Sequence, residues 1–173
     1  QTAATDLTRL LNSSNLTLGD SSVGIYGNVV DINNTGVITA GVNGAGIYAD
    51  DANITTADNL ITVNGAKGVG LYINGKNNAV YDRVLTLNHG TGAMSVSGDE
   101  AIGIFAKNNA TVNMLGEILL GDATSGSASN TGIYLENTKK DNVIETAGRI
   151  TTGKNSIGAY ITNSNLTNKG SVL

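Results

Sequence analysis

One four-residue pattern recurs along the whole chain: a small or aliphatic residue, glycine, an aliphatic residue, then an aromatic one. It occurs as Val23-Gly24-Ile25-Tyr26, Ala45-Gly46-Ile47-Tyr48, Val69-Gly70-Leu71-Tyr72, Ile102-Gly103-Ile104-Phe105, Thr131-Gly132-Ile133-Tyr134 and Ile157-Gly158-Ala159-Tyr160. Successive glycines are 22, 24, 33, 29 and 26 residues apart. Of seven aromatic residues (six Tyr, one Phe), only Tyr81 falls outside this slot. Self-similarity at a period of roughly 20–50 residues signals a stacked-repeat architecture, in which each unit buries its apolar face only against its neighbours.

Each repeat divides into three short stretches of alternating apolar and polar residues, the period-two signature of strands. The first leads into the glycine pattern: Leu16-Thr17-Leu18, Ile38-Thr39-Ala40, Ile61-Thr62-Val63, Met94-Ser95-Val96, Ile118-Leu119-Leu120 and Ile150-Thr151-Thr152. A glycine corner follows each of them. The second stretch is the glycine–aromatic pattern itself. The third centres on one aliphatic residue: Ile32, Ile54, Val112, Ile144 or Leu166. Three short strands per repeat, joined at Gly and Asn corners, predict an all-β fold. It is a right-handed parallel β-helix of about six to seven coils, its hand set by the general preference of parallel crossovers. At about 4.8 Å per coil, the rod is roughly 30 Å long. Residues 1–173 are read as a single segment of a longer chain, with 1–14 as a lead-in. Leu7, Leu10 and Leu11 give that lead-in a hint of helical spacing, but it is short and reads as the remains of a preceding coil or as an entry segment. Long loops are expected at about 75–92 and 122–130.

Composition fits a narrow core repeated many times. Hydrophobic residues make up 40% of the chain while aromatics make up 4%, and there are 23 Gly and no Pro or Trp. A net charge of −4 without a basic stripe argues against nucleic acid as a partner. With no cysteine and one histidine, a thiolate or multi-histidine metal site lacks ligands, so neither metal nor cofactor is expected. No run of about 18 apolar residues is present to form a membrane-spanning helix.

Strand parity predicts that Val23, Ile25 and Gly27 share the inner face and that Gly24, Tyr26 and Asn28 share the outer one. Ile25, Ile47, Leu71, Ile104 and Ile133 should then stack inside. Tyr26, Tyr48, Tyr72, Phe105, Tyr134 and Tyr160 should form an exposed aromatic ladder, with rings able to stack on sugars; the alternative is an aromatic ladder buried in a wide core. The longest insertion brings together Tyr81, Asp82, Arg83 and His89, the candidate ligand-binding group. Catalysis would need clustered carboxylates and a cation, for which only Asp50, Asp51, Asp58, Asp82 and Arg83 offer themselves. Asx residues at strand ends are more simply explained by corner geometry, so no enzyme is expected. The six Asn-x-Ser/Thr triplets, from Asn12-Ser13-Ser14 to Asn165-Leu166-Thr167, follow from the same corner pattern.

The repeated Gly-Ile-Tyr, with Ile32-Asn33-Asn34-Thr35-Gly36-Val37-Ile38-Thr39 and Asn165-Leu166-Thr167-Asn168-Lys169-Gly170-Ser171-Val172, resembles the passenger region of large bacterial autotransporter adhesins of the fusobacterial type. The resemblance runs from about Asn15 to Val172. It implies export to the bacterial cell surface, a long β-helical stalk, and a C-terminal outer-membrane barrel beyond this chain. It also implies attachment to host glycans, host protein receptors or other bacteria. The segment itself is expected to be a monomeric rod. That family has no shared ligand motif to carry over. The alternative expectations are a β-helical polysaccharide lyase or hydrolase, or a phage tailspike-like glycan-binding protein.

Overall fold

A computed structural model describes residues 8–58, 60–75, 85–124, 129–138 and 141–173. Among them every regular element is a strand. The chain visits three sheets in rotation. The first round is β1 (Thr8–Asn12), β2 (Leu16–Thr17) and β3 (Val23–Asn28). The second is β4 (Val30–Asn34), β5 (Ile38–Ala40) and β6 (Ala45–Asp50), and the third β7 (Asn53–Thr56), β8 (Ile61–Val63) and β9 (Val69–Gly75). Then come β10 (Leu85–His89), β11 (Ala93–Val96) and β12 (Ile102–Asn108). After these lie β13 (Ala110–Met114), β14 (Glu117–Leu120) and β15 (Thr131–Glu136). The last are β16 (Asn142–Ile144), β17 (Arg149–Thr151), β18 (Ile157–Thr162), β19 (Leu166–Asn168) and β20 (Ser171–Val172). Sheet 1 runs β1-β4-β7-β10-β13-β16-β19, sheet 2 runs β2-β5-β8-β11-β14-β17-β20, and sheet 3 runs β3-β6-β9-β12-β15-β18. Each strand pairs in parallel with the strands three before and three after it, so the fold is all-β and built of parallel sheets.

The pairing register places like on like. Ile25, Ile47, Leu71, Ile104 and Ile133 align in one inward column, each with at most 6% of its surface exposed. Leu16, Ile38, Ile61, Met94, Ile118 and Ile150 form a second column, in sheet 2. Burying one such side chain stabilises the fold by about 1.5–3 kcal/mol, and the columns repeat that gain at each level.

Four local expectations are corrected. Around Leu10 and Leu11 the chain is strand β1 and not helix, because Leu10 aligns with Ile32 while Leu11 points to solvent. Leu7 lies outside the described residues. In sheet 3 the glycine faces inward and Val23 outward: Val23 is 48% exposed although Ile25, two residues on, is buried. The cause is a corner. A Cβ added at Gly46 would stand 3.1 Å from Cγ2 of Ile38 in sheet 2 and 2.6 Å from the Gly70 carbonyl oxygen. Glycine and the following aliphatic residue therefore both turn into the core where the two sheets meet.

The place expected for Ile144 beneath Val112 is held by Asn142; Ile144 aligns with Met114. Asn142 is tolerated there because it is satisfied. It accepts from the Val112 N–H at 2.8 Å and donates to Thr138 Oγ1 and the Asn165 carbonyl, both at 2.8 Å. Lastly, Leu85–His89, expected inside a loop, forms β10, with Leu87 aligned between Ile54 and Val112.

The corners use left-handed backbone. Ser21, Asn43, Lys67, Glu100 and Asn155 turn the chain from sheet 2 to sheet 3, and Val29, Asp51, Asn108, Asn137 and Asn163 turn it from sheet 3 to sheet 1, with φ between 47° and 62°. Asn and Asp tolerate this region; a β-branched residue does not. Val29, at φ 54°, is the misfit in its column. Val29→Asn should therefore raise stability by about 0.5–1 kcal/mol in urea unfolding, whereas Gly46→Ala should lower it by about 1–3 kcal/mol.

Candidate functional site

The outward face of sheet 3 carries the most regular surface of the molecule. Because the strands pair in register, Tyr26, Tyr48, Tyr72, Phe105, Tyr134 and Tyr160 stand one above another. Their ring centroids are separated in order by 5.7, 4.4, 5.0, 4.7 and 4.7 Å. The parallel strand spacing of about 4.8 Å presets these distances. Tyr26 and Tyr160 are the most exposed, at 56% and 45%, since each has a ring on one side only. The four between them are half-buried.

Ring orientation limits what this face offers. Tyr48 and Tyr72 stack at 16° between planes, and Tyr134 and Tyr160 at 24°. Phe105 stands edge-on to both neighbours, at 75° and 83°. Within the stacked pairs the facing surfaces are occupied by the partner ring, so a ligand there meets edges and hydroxyls rather than open ring faces.

A polar column runs beside the rings: Asn28, Asp50, Asn74, Lys107, Glu136 and Thr162. Asp50 accepts from Asn28 Nδ2 at 3.4 Å and from Asn74 Nδ2 at 3.0 Å, and Asn74 Oδ1 accepts from Asn108 Nδ2 at 2.6 Å. Lys107 places its Nζ 5.6 Å from the centre of the Tyr72 ring, a cation–π contact. Burial raises the phenol pKa of Tyr48, with the neighbouring Tyr72 as the next cause; burial also raises those of Tyr72 and Tyr134.

Of the expected ligand-binding group, only His89 is among the described residues. Tyr81, Asp82 and Arg83 lie outside the described residues. His89 is fully buried at the end of β10, its Nδ1 3.0 Å from Thr56 Oγ1, and is no surface ligand. Its setting between Asn88 and Gly90 resembles a corner, but the period-two alternation of β10 carries it inward. Asp51 is a buried corner residue and Asp58 is bonded to the Thr91 hydroxyl. Among the described residues, no three His, Asp or Glu side chains gather as a metal-binding group.

Sequence reasoning missed a polar column inside sheet 1: Asn12, Asn34, Thr56 and His89, followed by Met114 and Ile144. Asn12 Nδ2 donates to Asn34 Oδ1 at 2.7 Å, and Asn34 Nδ2 donates to the Gly36 carbonyl at 2.8 Å. The signal was there, since each of Asn12, Asn34 and Thr56 lies two residues after an inward-facing aliphatic residue.

Removing a central ring tests the ladder. Tyr72→Ser deletes two ring contacts of about 0.5–1.5 kcal/mol each, so stability should fall by about 1–3 kcal/mol. Alkali gives an independent check. Phenols raised in the folded state hold their protons after the unfolded chain has lost them. Wild-type stability should therefore begin to fall as the pH rises past the ordinary tyrosine value of about 10. The fall should be smaller in Tyr72→Ser, followed by tyrosine absorbance and urea unfolding. No protein-family model, curated protein or solved structure matches the chain.

Proposed function

We propose that the chain is a length of right-handed parallel β-helix, three strands to the coil and six to seven coils long. On this reading it serves as a stalk or adhesin segment of an autotransporter-type protein on the bacterial surface. The observation that carries it is the level-by-level repetition. The aliphatic columns of sheets 2 and 3 and the outward ladder of sheet 3 recur from level to level, so length is added without a new core and each level braces the next. The resemblance of the Gly-Ile-Tyr repeat to autotransporter passengers supports the cellular setting, with a C-terminal barrel on the parent protein as the membrane anchor. The outward face of sheet 3 is the attachment surface, and the partner is a host glycan, a host protein receptor or another bacterium. Hydroxyls of the tyrosine row and the amides and carboxylates of Asn28, Asp50, Asn74 and Glu136 supply hydrogen bonds to it.

Purified chain presented on beads should adhere to host cells, or to an array of host glycans, through this face. The double variant Tyr134→Ser/Tyr160→Ser, checked for retained β structure, should lower adhesion at least tenfold. Substitutions on sheet 1, such as Asn33→Ala/Thr55→Ala, should not. Equal adhesion by both variants would remove sheet 3 as the attachment surface. No adhesion by any form would leave the segment as stalk alone.

A further inference from the structure

The inward column of sheet 1 changes character at one level, and the chain's only histidine stands there. Below it are amides and a hydroxyl, Asn12, Asn34 and Thr56; above it are Met114 and Ile144. His89 is fully buried. On the Thr56 side, Nδ1 lies 3.0 Å from Oγ1, which also accepts from the Gly90 N–H at 3.3 Å. On the other side, Nε2 has no hydrogen-bond partner. The space around it is closed by backbone: a Cβ at Gly116 would come within 3.0 Å of Nε2 and 2.2 Å of the Gly90 and Gly92 carbonyl oxygens.

We propose that this imidazole makes the stack acid-sensitive at a single level: protonation of His89 opens the pairing of β10 with β7 and β13. The neutral ring fits because one nitrogen is paired and the other costs the fold only one unmade hydrogen bond. The imidazolium does not fit. It carries two N–H donors and a full charge; Thr56 Oγ1 can meet one donor, while no acceptor stands in hydrogen-bonding geometry to Nε2.

No described group compensates that charge. From β7 the ring faces Thr56, and the nearest carboxylate along that chain, Asp58, is engaged by Thr91. From β13 it faces Met114. From β14 the closest acid is Glu117, whose carboxylate is held outside by Arg149 Nε at 3.1 Å. Burial accordingly lowers the His89 pKa below its ordinary value, opposed only in part by the Glu117 backbone, which does not reach hydrogen-bonding geometry. The sign follows from linkage. Above the ordinary value of about 6.5, folded and unfolded chains are both neutral and stability is complete. As the pH falls through that value, the unfolded chain takes up a proton that the folded one refuses, and stability is lost until the folded value is passed.

The strand most exposed to this loss is β10. Its end is held by Leu115 N–H donating to the His89 carbonyl at 2.9 Å and by Gly90 N–H donating to the Thr56 carbonyl at 3.1 Å. Local opening releases these two amides while β3 and β6, several levels away, stay paired. Such sub-global opening is expected where one cooperative unit is weaker than the rest.

The test uses the whole chain, wild type and His89→Met, which matches Met114 in the same column and cannot titrate. Urea unfolding is measured from pH about 7.5 to about 5. Both proteins share every carboxylate, so their difference isolates the histidine. Wild type should lose up to about tenfold in its folding equilibrium constant, relative to the variant, for each pH unit below about 6.5 until the folded value is passed. Leu115 and Gly90 should lose exchange protection before amides of β3 and β6. Parallel pH profiles for the two proteins would overturn the proposal. Should His89→Met fail to fold, the single imidazole resonance of wild type decides. Titration at or above about 6.5 in the fully paired protein overturns it. A ring that stays neutral until the Leu115 amide opens upholds it.

Discussion

Every level of this molecule depends on one constraint: a parallel strand must find its partner one round away in the same register. A parallel ladder pairs backbone N–H and C=O groups whatever the side chains, so the buried core sets the register: a slip of one residue would turn every core side chain outward. Isoleucine is thereby set over isoleucine, and tyrosine over tyrosine. Glycine at the bend between sheets 2 and 3 is part of the same constraint. With 2.6 Å between a Cβ at Gly46 and the Gly70 carbonyl, any larger residue would push successive levels apart.

The two faces of sheet 3 show the consequence. Inside, Ile25, Ile47, Leu71, Ile104 and Ile133 share a dry column. Outside, the identical spacing forces the aromatic rings into contact, and most of the row relieves the crowding by stacking while Phe105 turns edge-on. A ladder of this kind strengthens the stack and occupies much of its own aromatic surface. What this face offers a ligand is therefore hydroxyls, ring edges and the polar column alongside.

Much of this was legible in the chain itself, because repetition multiplies weak signals. One glycine–aliphatic–aromatic triplet says little; six of them point to the sheet, the inner column and the outward ladder. What escaped were the points where periodicity breaks. The bend at Gly24 and Gly46 shifts parity, so Val23 faces water although it stands two residues from buried Ile25. Asn142 takes a core position that hydropathy assigns to Ile144, because three hydrogen bonds remove the cost of burying its amide. His89 reads as a corner residue by its neighbours but is carried inward by the alternation of β10. Of the proposed surface group, only His89 is among the described residues, and the ladder remains the best-defined candidate surface.

The in-register stack can be tested by covalent chemistry, since the chain contains no cysteine of its own. Adjacent in-register strands bring their Cα atoms within the 4.4–6.8 Å range that a disulfide requires, and strands two levels apart do not. Under mild oxidation, Tyr48→Cys/Tyr72→Cys should cross-link readily while Tyr48→Cys/Phe105→Cys should remain reduced. Cross-linking of the second pair, or failure of the first in a folded protein, would contradict the stacking of the glycine–aromatic repeats.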